Sequence, residues 1–337
     1  MVDPGLRTEI RSILLLRKLN GGGIIWLWII LALLIFAGWI LYLLRRIKEM
    51  APPQHVMRFY GLEYALDTLK FKQITFIHPD KLNDPFDPNF GFETNFNDDY
   101  NALVDYVRKN HDQDYDKFIE RLPESNWMSV LEQLREMFKN IRNSAFIFST
   151  IEADNEDHPK DNLYMLSHYG NEHRGVAIEF DASVLLESVS EKNKKLSGEE
   201  IDIDEAWCKI TYAEELPQIT CEQVFKFIID DTPIPNEEIW INTELAKNLQ
   251  LGFCLKSIVW RQEREWRLMW RNDETRLKVE KCNLLDGAII AIYFGCCIDD
   301  LVKDELLFES KRNFPNATIF QGKKKKGKFA LEFEQLL

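Results

Sequence analysis

A surplus of positive charge is missing from this chain. Its 337 residues carry 42 Lys and Arg against 55 Asp and Glu, a formal net charge of −13. Residues 1–50 hold seven basic and three acidic side chains, which leaves 35 against 52, or −17, on the remainder. A body of that sign repels phosphate backbones, so nucleic acid is not an expected partner. Cysteine pairs at CxxC spacing are also missing. The six cysteines, Cys208, Cys221, Cys254, Cys282, Cys296 and Cys297, all lie in the second half, and the adjacent last two are poorly shaped for an ordinary disulfide. This usage points to a reducing cytosol. His168 and His173 stand five apart rather than four, and no cysteine pair completes a tetrahedron, so no metal is expected. Internal repeats and low-complexity linkers are lacking too, which leaves a single folded body after the N-terminal region.

What the chain does have is a long apolar run. Residues 24–44, IIWLWIILALLIFAGWILYLL, contain no charge. As a helix rising about 1.5 Å per residue they match a hydrocarbon core about 30 Å thick. Trp26, Trp28, Trp39 and Tyr42 suit the two interfaces, and Arg45, Arg46 and Lys48 stop the span. The run is too long for a cleaved signal, and arginines follow it instead of small residues. The expected organisation is an amphipathic segment at 1–23, a transmembrane helix at 24–44, a stiff Pro52-Pro53 linker at 45–53 and a soluble domain at 54–337. Cations flank the span evenly, so charge does not orient it; the cysteines place the body in the cytoplasm, tethered to the cell membrane. The lipid bilayer is then one partner, and an unidentified protein or small molecule another.

Within the body, short β-branched and aromatic runs predict strands near 57–60, 74–78, 145–150, 175–180, 208–212, 266–270, 288–294, 317–321 and 329–333. Helical periodicity falls at 62–70, 101–108, 114–121, 128–141, 163–169, 221–229 and 236–251. Strands and helices do not alternate regularly, so the expected class is α+β, a mixed or antiparallel sheet with flanking helices. The lysines at 323–326 and 328 read as a solvated hairpin turn between the last two strands.

Three stretches carry chemistry. In LNDPFD, residues 82–87, Asn83 or Asp84 can accept backbone N–H bonds and Pro85 extends its predecessor, which is turn chemistry; the other reading makes Asp84 and Asp87 site carboxylates. In LSHYGNEHRGVAIEFD, residues 166–181, His168 and Tyr169 fall where a helix ends at Gly170, either as satisfied half-buried groups or facing a cleft. In WRQEREWR, residues 260–267, strand alternation puts Trp266, Leu268 and Trp270 on a core face and Glu265, Arg267 and Met269 on the other. Glu265 and Arg267 are either a surface salt bridge or a glutamate held for chemistry beside its guanidinium.

Taken in order, Arg58-x-Tyr60, LNDPFD, LSHYGNEHRGVAIEFD, WRQEREWR and Tyr293-Phe294-Gly295 resemble the bacterial family known as domain of unknown function 2971, over roughly residues 55–335. The N-terminal anchor is an addition to that pattern, and Leu166 stands where the family has a tryptophan. By analogy of fold, the strand–helix–strand opening with a basic residue on strand one, a middle aromatic and a late strand glutamate is similar to the ADP-ribosyltransferase plan. That likeness implies NAD as a substrate, with Glu265, Tyr169 and His168 catalytic and Arg58, Tyr60, Ser149 and Arg267 holding the dinucleotide. Cleavage of the glycosidic bond needs a carboxylate near the oxocarbenium, an aromatic against nicotinamide and a cation at phosphate or ribose. Membrane tethering would suit an effector of antiphage defence. Two alternatives stand beside this: a Mg²⁺-dependent phosphodiesterase using Asp84, Asp87, Glu265 and His168, and a tethered sensor or scaffold without catalysis.

Overall fold

The structure, a computed structural model, describes residues 52–89, 91–92, 99–153, 162–197, 206–229, 252–272 and 278–336. Pro53–Leu337 forms one compact unit. The amphipathic segment, the span at 24–44 and the helix expected at 236–251 lie outside the described residues. Among the described residues no helix is long and apolar enough to cross a membrane.

The chain runs β1 (His55–Tyr60), α1 (Leu62–Phe71), β2 (Gln73–Ile77), β3 (Gly91–Phe92), α2 (Tyr100–Asn110), α3 (Tyr115–Arg121), α4 (Glu124–Ser144), β4 (Ala145–Glu152), α5 (Leu163–His168), β5 (Val176–Asp181) and α6 (Ala182–Ser197). It continues through β6 (Trp207–Lys209), β7 (Thr211–Ala213), β8 (Gln218–Ile219), α7 (Cys221–Ile229), β9 (Leu255–Ser257), β10 (Glu265–Arg271), β11 (Val279–Asn283), β12 (Ile289–Phe294), α8 (Asp300–Asn313), β13 (Thr318–Lys324) and β14 (Leu331–Gln335). The expected α+β class with a mixed sheet holds. Ten strands share one sheet in the order β11-β2-β4-β1-β5-β12-β13-β14, with β10 on β4 and β6 on β10. Its pairs are antiparallel except β12 with β13.

The sheet forks at β4. One edge of β4 pairs with β10 along its length, Ala145 through Ile151. The other edge is shared: β2 meets it at Ile147, and β1 meets it at Ile151 and Glu152. Between those contacts, around Ser149, β1 and β2 diverge and a cleft opens. Phe146, Ile147 and Phe148 of β4 are all fully buried because both faces of the sheet are covered. Phe146 and Phe148 join the main core with Phe76, Phe180, Trp266 and Trp270. On the opposite face Ile147 belongs to a cluster built with α2, α3, α4 and α7, and Ile151 to another with Met57, Met165 and Leu166. Ser149 falls between these two clusters, as the period of two along a strand requires.

Some elements lack a sequence signal. Helix α8 buries Leu306, Glu309 and Ser310 while leaving Leu301 and Phe308 exposed, so it shows no apolar stripe. Strand β11 buries Cys282 alone. The single strand expected at 208–212 breaks at Ile210, whose N–H goes to the Glu265 carbonyl, and its halves join different sheets. Cys208 and Cys254, read as thiols, form a disulfide with Cα atoms 5.8 Å apart; their 46-residue separation gives sequence spacing nothing to detect.

After α5 the left-handed conformation falls on Asn171, Glu172 and His173, with φ of 47°, 55° and 66°, and not on the flanking glycines. Gly175 is needed for proximity: a Cβ there would lie 2.1 Å from the Tyr60 carbonyl oxygen. Gly175→Ala should therefore lower the unfolding free energy by about 3 kcal/mol or more, as overpacking against rigid backbone does. Gly61→Ala, with nothing within 4 Å of the new methyl, should cost under about 1 kcal/mol. Urea denaturation of the two variants measures the contrast.

Candidate functional site

The cleft at the fork has a volume of about 200 Å³. Met57, Arg58 and Phe59 of β1 form one wall, Ser149, Thr150 and Ile151 of β4 its floor, and Lys81, Leu82 and Asn83 after β2 the opposite wall. Met165 of α5 and Tyr169 just after it close the cleft, and Lys256 of β9, Glu263 just before β10 and Glu265 at its start reach it from the other side. Residues from four distant parts of the chain thus meet there, Arg58, Ser149, Tyr169 and Glu265 among them.

Below the cleft, Arg267 is wholly buried. Cross-strand pairing sets it opposite Ser149. Its Nε donates to Glu265 Oε1 at 2.8 Å, and Nη1 to Asp87 Oδ1 and to the Phe253 carbonyl, each at 2.8 Å; Nη2 also bonds Asp87. The surface salt bridge weighed for Glu265 and Arg267 is therefore a buried one. Lys256, 5% exposed, donates from Nζ to Glu263 Oε2 at 2.6 Å and Glu265 Oε2 at 3.1 Å, and approaches Asp87 at 4.0 Å. Tyr169 donates its hydroxyl to Glu263 Oε1 at 2.5 Å and accepts from Asn83 Nδ2 at 3.0 Å. The Glu265 backbone N–H donates to the Tyr212 hydroxyl at 2.8 Å. Three carboxylates, Asp87, Glu263 and Glu265, therefore face two cations, Lys256 and Arg267, which leaves one negative charge in the cluster.

Burial alone would raise the Glu265 carboxyl, but Arg267 and Lys256, with hydrogen bonds from Arg267 and Ser149, hold it down at about 2. Glu265 is ionised throughout the physiological range. Burial also works against charge on Lys256, and Glu265 with Glu263 more than offsets it, so the ammonium persists. Asp87 is pushed up by burial against the pull of Arg267. Burial and then the bond to Glu263 raise the Tyr169 phenol, which stays protonated as a donor.

Arg58 donates from Nη1 to the Ser149 carbonyl at 2.8 Å, with its guanidinium 4.6 Å from the Phe148 ring centre. Among the described residues its other N–H groups make no hydrogen bond, and the side chain lines the cleft. Other expected site residues stand elsewhere. The His168 side chain is exposed and packs on Tyr164, ring centres 4.4 Å apart, away from the cleft lining. Tyr60 belongs to the main core, its phenol pushed up to about 12 by burial. Arg267 acts on Glu265 from beneath and does not line the cleft.

Asp84 does turn chemistry: its Oδ1 accepts from Phe86 N–H at 2.9 Å and its Oδ2 from Trp260 Nε1 at 2.8 Å. Asp87 is a positioning group for Arg267. Of the four ligands proposed for a metal, Asp84 and Asp87 are thus engaged by protein donors and His168 is remote. Sequence reasoning missed Lys256 and Glu263. The available signal was a lysine inside the apolar run Phe253-Cys254-Leu255 and Ile258-Val259-Trp260, a position that demands a buried partner.

Asp87→Ala would leave Arg267 short of a partner inside the protein, and the unfolding free energy should fall by about 3–5 kcal/mol in guanidinium titrations. The Glu265 carboxyl sits below its ordinary 4.5, so it stabilises the fold above that pH and the gain is lost as pH falls towards 2. On the order of 3 kcal/mol should disappear over that interval in wild type. Denaturation at pH 5 and pH 2.5 checks this, since Glu265→Gln should lack that component.

No curated protein and no solved structure matches the chain. A family model described as protein of unknown function (DUF2971) matches residues 165–268. That stretch is narrower than the motif likeness over 55–335, and takes in Tyr169, Lys256, Glu263, Glu265 and Arg267 while leaving Arg58, Asp87 and Ser149 outside. Over those residues the chain is similar to this family of unassigned activity.

Proposed function

We propose that the cleft cleaves the nicotinamide–ribose bond of NAD, in the manner of an ADP-ribosyltransferase, within a chain tethered to the membrane through residues 24–44. One observation carries the reading: Glu265, Arg58 and Tyr169, far apart in sequence, line one cleft in which Glu265 is held ionised. Breaking the bond sends its electron pair to the ring nitrogen and leaves a positive charge on the ribose. The Glu265 carboxylate, held ionised beside the breaking bond, would stabilise that cation. Water or an acceptor group then attacks the anomeric carbon and releases a proton. Tyr169 would lie against the nicotinamide, and Arg58 would meet a phosphate. A cleft of about 200 Å³ suits the nicotinamide and ribose, with the adenosine half along the mouth. Glu263 and Lys256 hold Tyr169 and Glu265 in place.

Full-length protein incubated with NAD labelled on the adenylate should release nicotinamide and yield labelled ADP-ribose, free or attached to a target. Glu265→Gln should reduce the rate about 100-fold or more, as loss of a group aimed at developing charge does, with folding verified by melting. Tyr169→Phe should chiefly raise KM. Undiminished turnover in Glu265→Gln would overturn the assignment. Saturable binding without turnover would point to the tethered sensor, and activity that needs Mg²⁺ and ignores NAD to the phosphodiesterase.

A further inference from the structure

The disulfide lies beside the charge cluster. Cys208 stands opposite Arg267 in the β6–β10 ladder. Cys254, its partner, immediately follows Phe253, whose carbonyl takes Arg267 Nη1 at 2.8 Å, and precedes Lys256 by two residues. The short segment Gly252–Ser257 thus delivers two groups that hold the charged residues of the site, the Phe253 carbonyl that accepts from Arg267 and the Lys256 ammonium that meets Glu263 and Glu265. Beyond Cys254 it is held by the β7–β9 pairs, from Thr211 with Leu255 to Ala213 with Ser257. The covalent link ties this segment to the strand bonded directly to β10.

We propose that the Cys208–Cys254 pair is a redox latch on the cleft: oxidised, it holds segment 252–257 against Arg267 and Glu265; reduced, it lets Lys256 leave them. Cys254 is the more exposed of the two, while Cys208 is buried. The Cys254 thiolate attacks a small disulfide of the glutathione class, forming a mixed disulfide and expelling one thiolate, which takes up a proton. Cys208, as its thiolate, then attacks the Cys254 sulfur, the protein disulfide forms and the second small thiol leaves. Two cysteine thiols are oxidised and one small disulfide is reduced to two thiols. Reduction by a small thiol reverses both steps. Loss of the link removes a local constraint, so opening of the segment costs less and Lys256 becomes reachable.

The latch concerns the cleft assigned above and rests on that reading only for its effect on turnover. Full-length protein is equilibrated with oxidised or reduced glutathione, denatured for thiol counting, and in parallel treated in the native state with an amine-acylating reagent. The oxidised form should show four titratable thiols, Cys221, Cys282, Cys296 and Cys297, and the reduced form all six. Acylation of Lys256, read by peptide mass spectrometry, should be at least about tenfold faster in the reduced form. Cys208→Ser should label at the fast rate in either buffer, whereas Cys221→Ser should retain the switch. Six thiols after oxidation, or equal acylation of Lys256 in the two states, would overturn the latch. If Cys208→Ser does not fold, the wild-type comparison still decides. Differential labelling without nicotinamide release would sustain the latch and remove the NAD reading; release with equal labelling would do the reverse.

Discussion

A guanidinium with no access to water organises this protein. Arg267 carries a permanent charge, and placing such a charge in a low-dielectric interior is tolerable only if every strong donor finds an acceptor. Its acceptors come from the loop after β2, from the segment before β9 and from its own strand. Satisfying one side chain therefore brings three separate parts of the chain to one place. Each carboxylate recruited also needs its charge met, which is why Lys256 is buried beside Glu265 and Glu263. The cleft lies directly above this network, so its electrostatics are inherited from the fold.

The cluster also divides the apolar interior. On the face that carries Ser149 and Arg267, Ile147 and Met269 turn towards the helical cluster while Ile151 turns towards Met57 and Met165. A continuous hydrophobic face would have sealed the fork. Alternating polar and apolar residues along β4 and β10 instead leave a polar seam between two dry regions, and the opening forms where that seam reaches the gap between β1 and β2.

Much of the architecture is legible in the sequence because periodicity is a local signal. Runs such as Ala145–Glu152 and Glu265–Arg271 announce strands, and α4 and α7 announce helices through their apolar stripes. Helix α8 and strand β11 escape for the same reason in reverse, since few of their residues face the core. The site is only half legible. The likeness in fold placed Glu265, Tyr169, Arg58 and Ser149 in one site, and the cleft does hold them, yet it also placed His168, Tyr60 and Arg267 there, which do not line it. Neighbours on a helix end or a strand point in different directions, and only tertiary packing tells which one enters a cavity. Asp87 illustrates the opposite failure: it reads as turn or ligand, because its partner lies 180 residues away.

The fork at β4 has a mechanical implication. An opening bounded by two strands that share one edge of a third needs no moving lid to exist, and its aperture is set by where each strand lets go. Here β2 lets go after one pairing, Ile77 with Ile147, and β1 after two, Val56 with Glu152 and Met57 with Ile151. Two sides of the opening are thus fixed by backbone pairing, while side chains from the loop after β2, from the end of α5 and from the approach to β10 complete its rim.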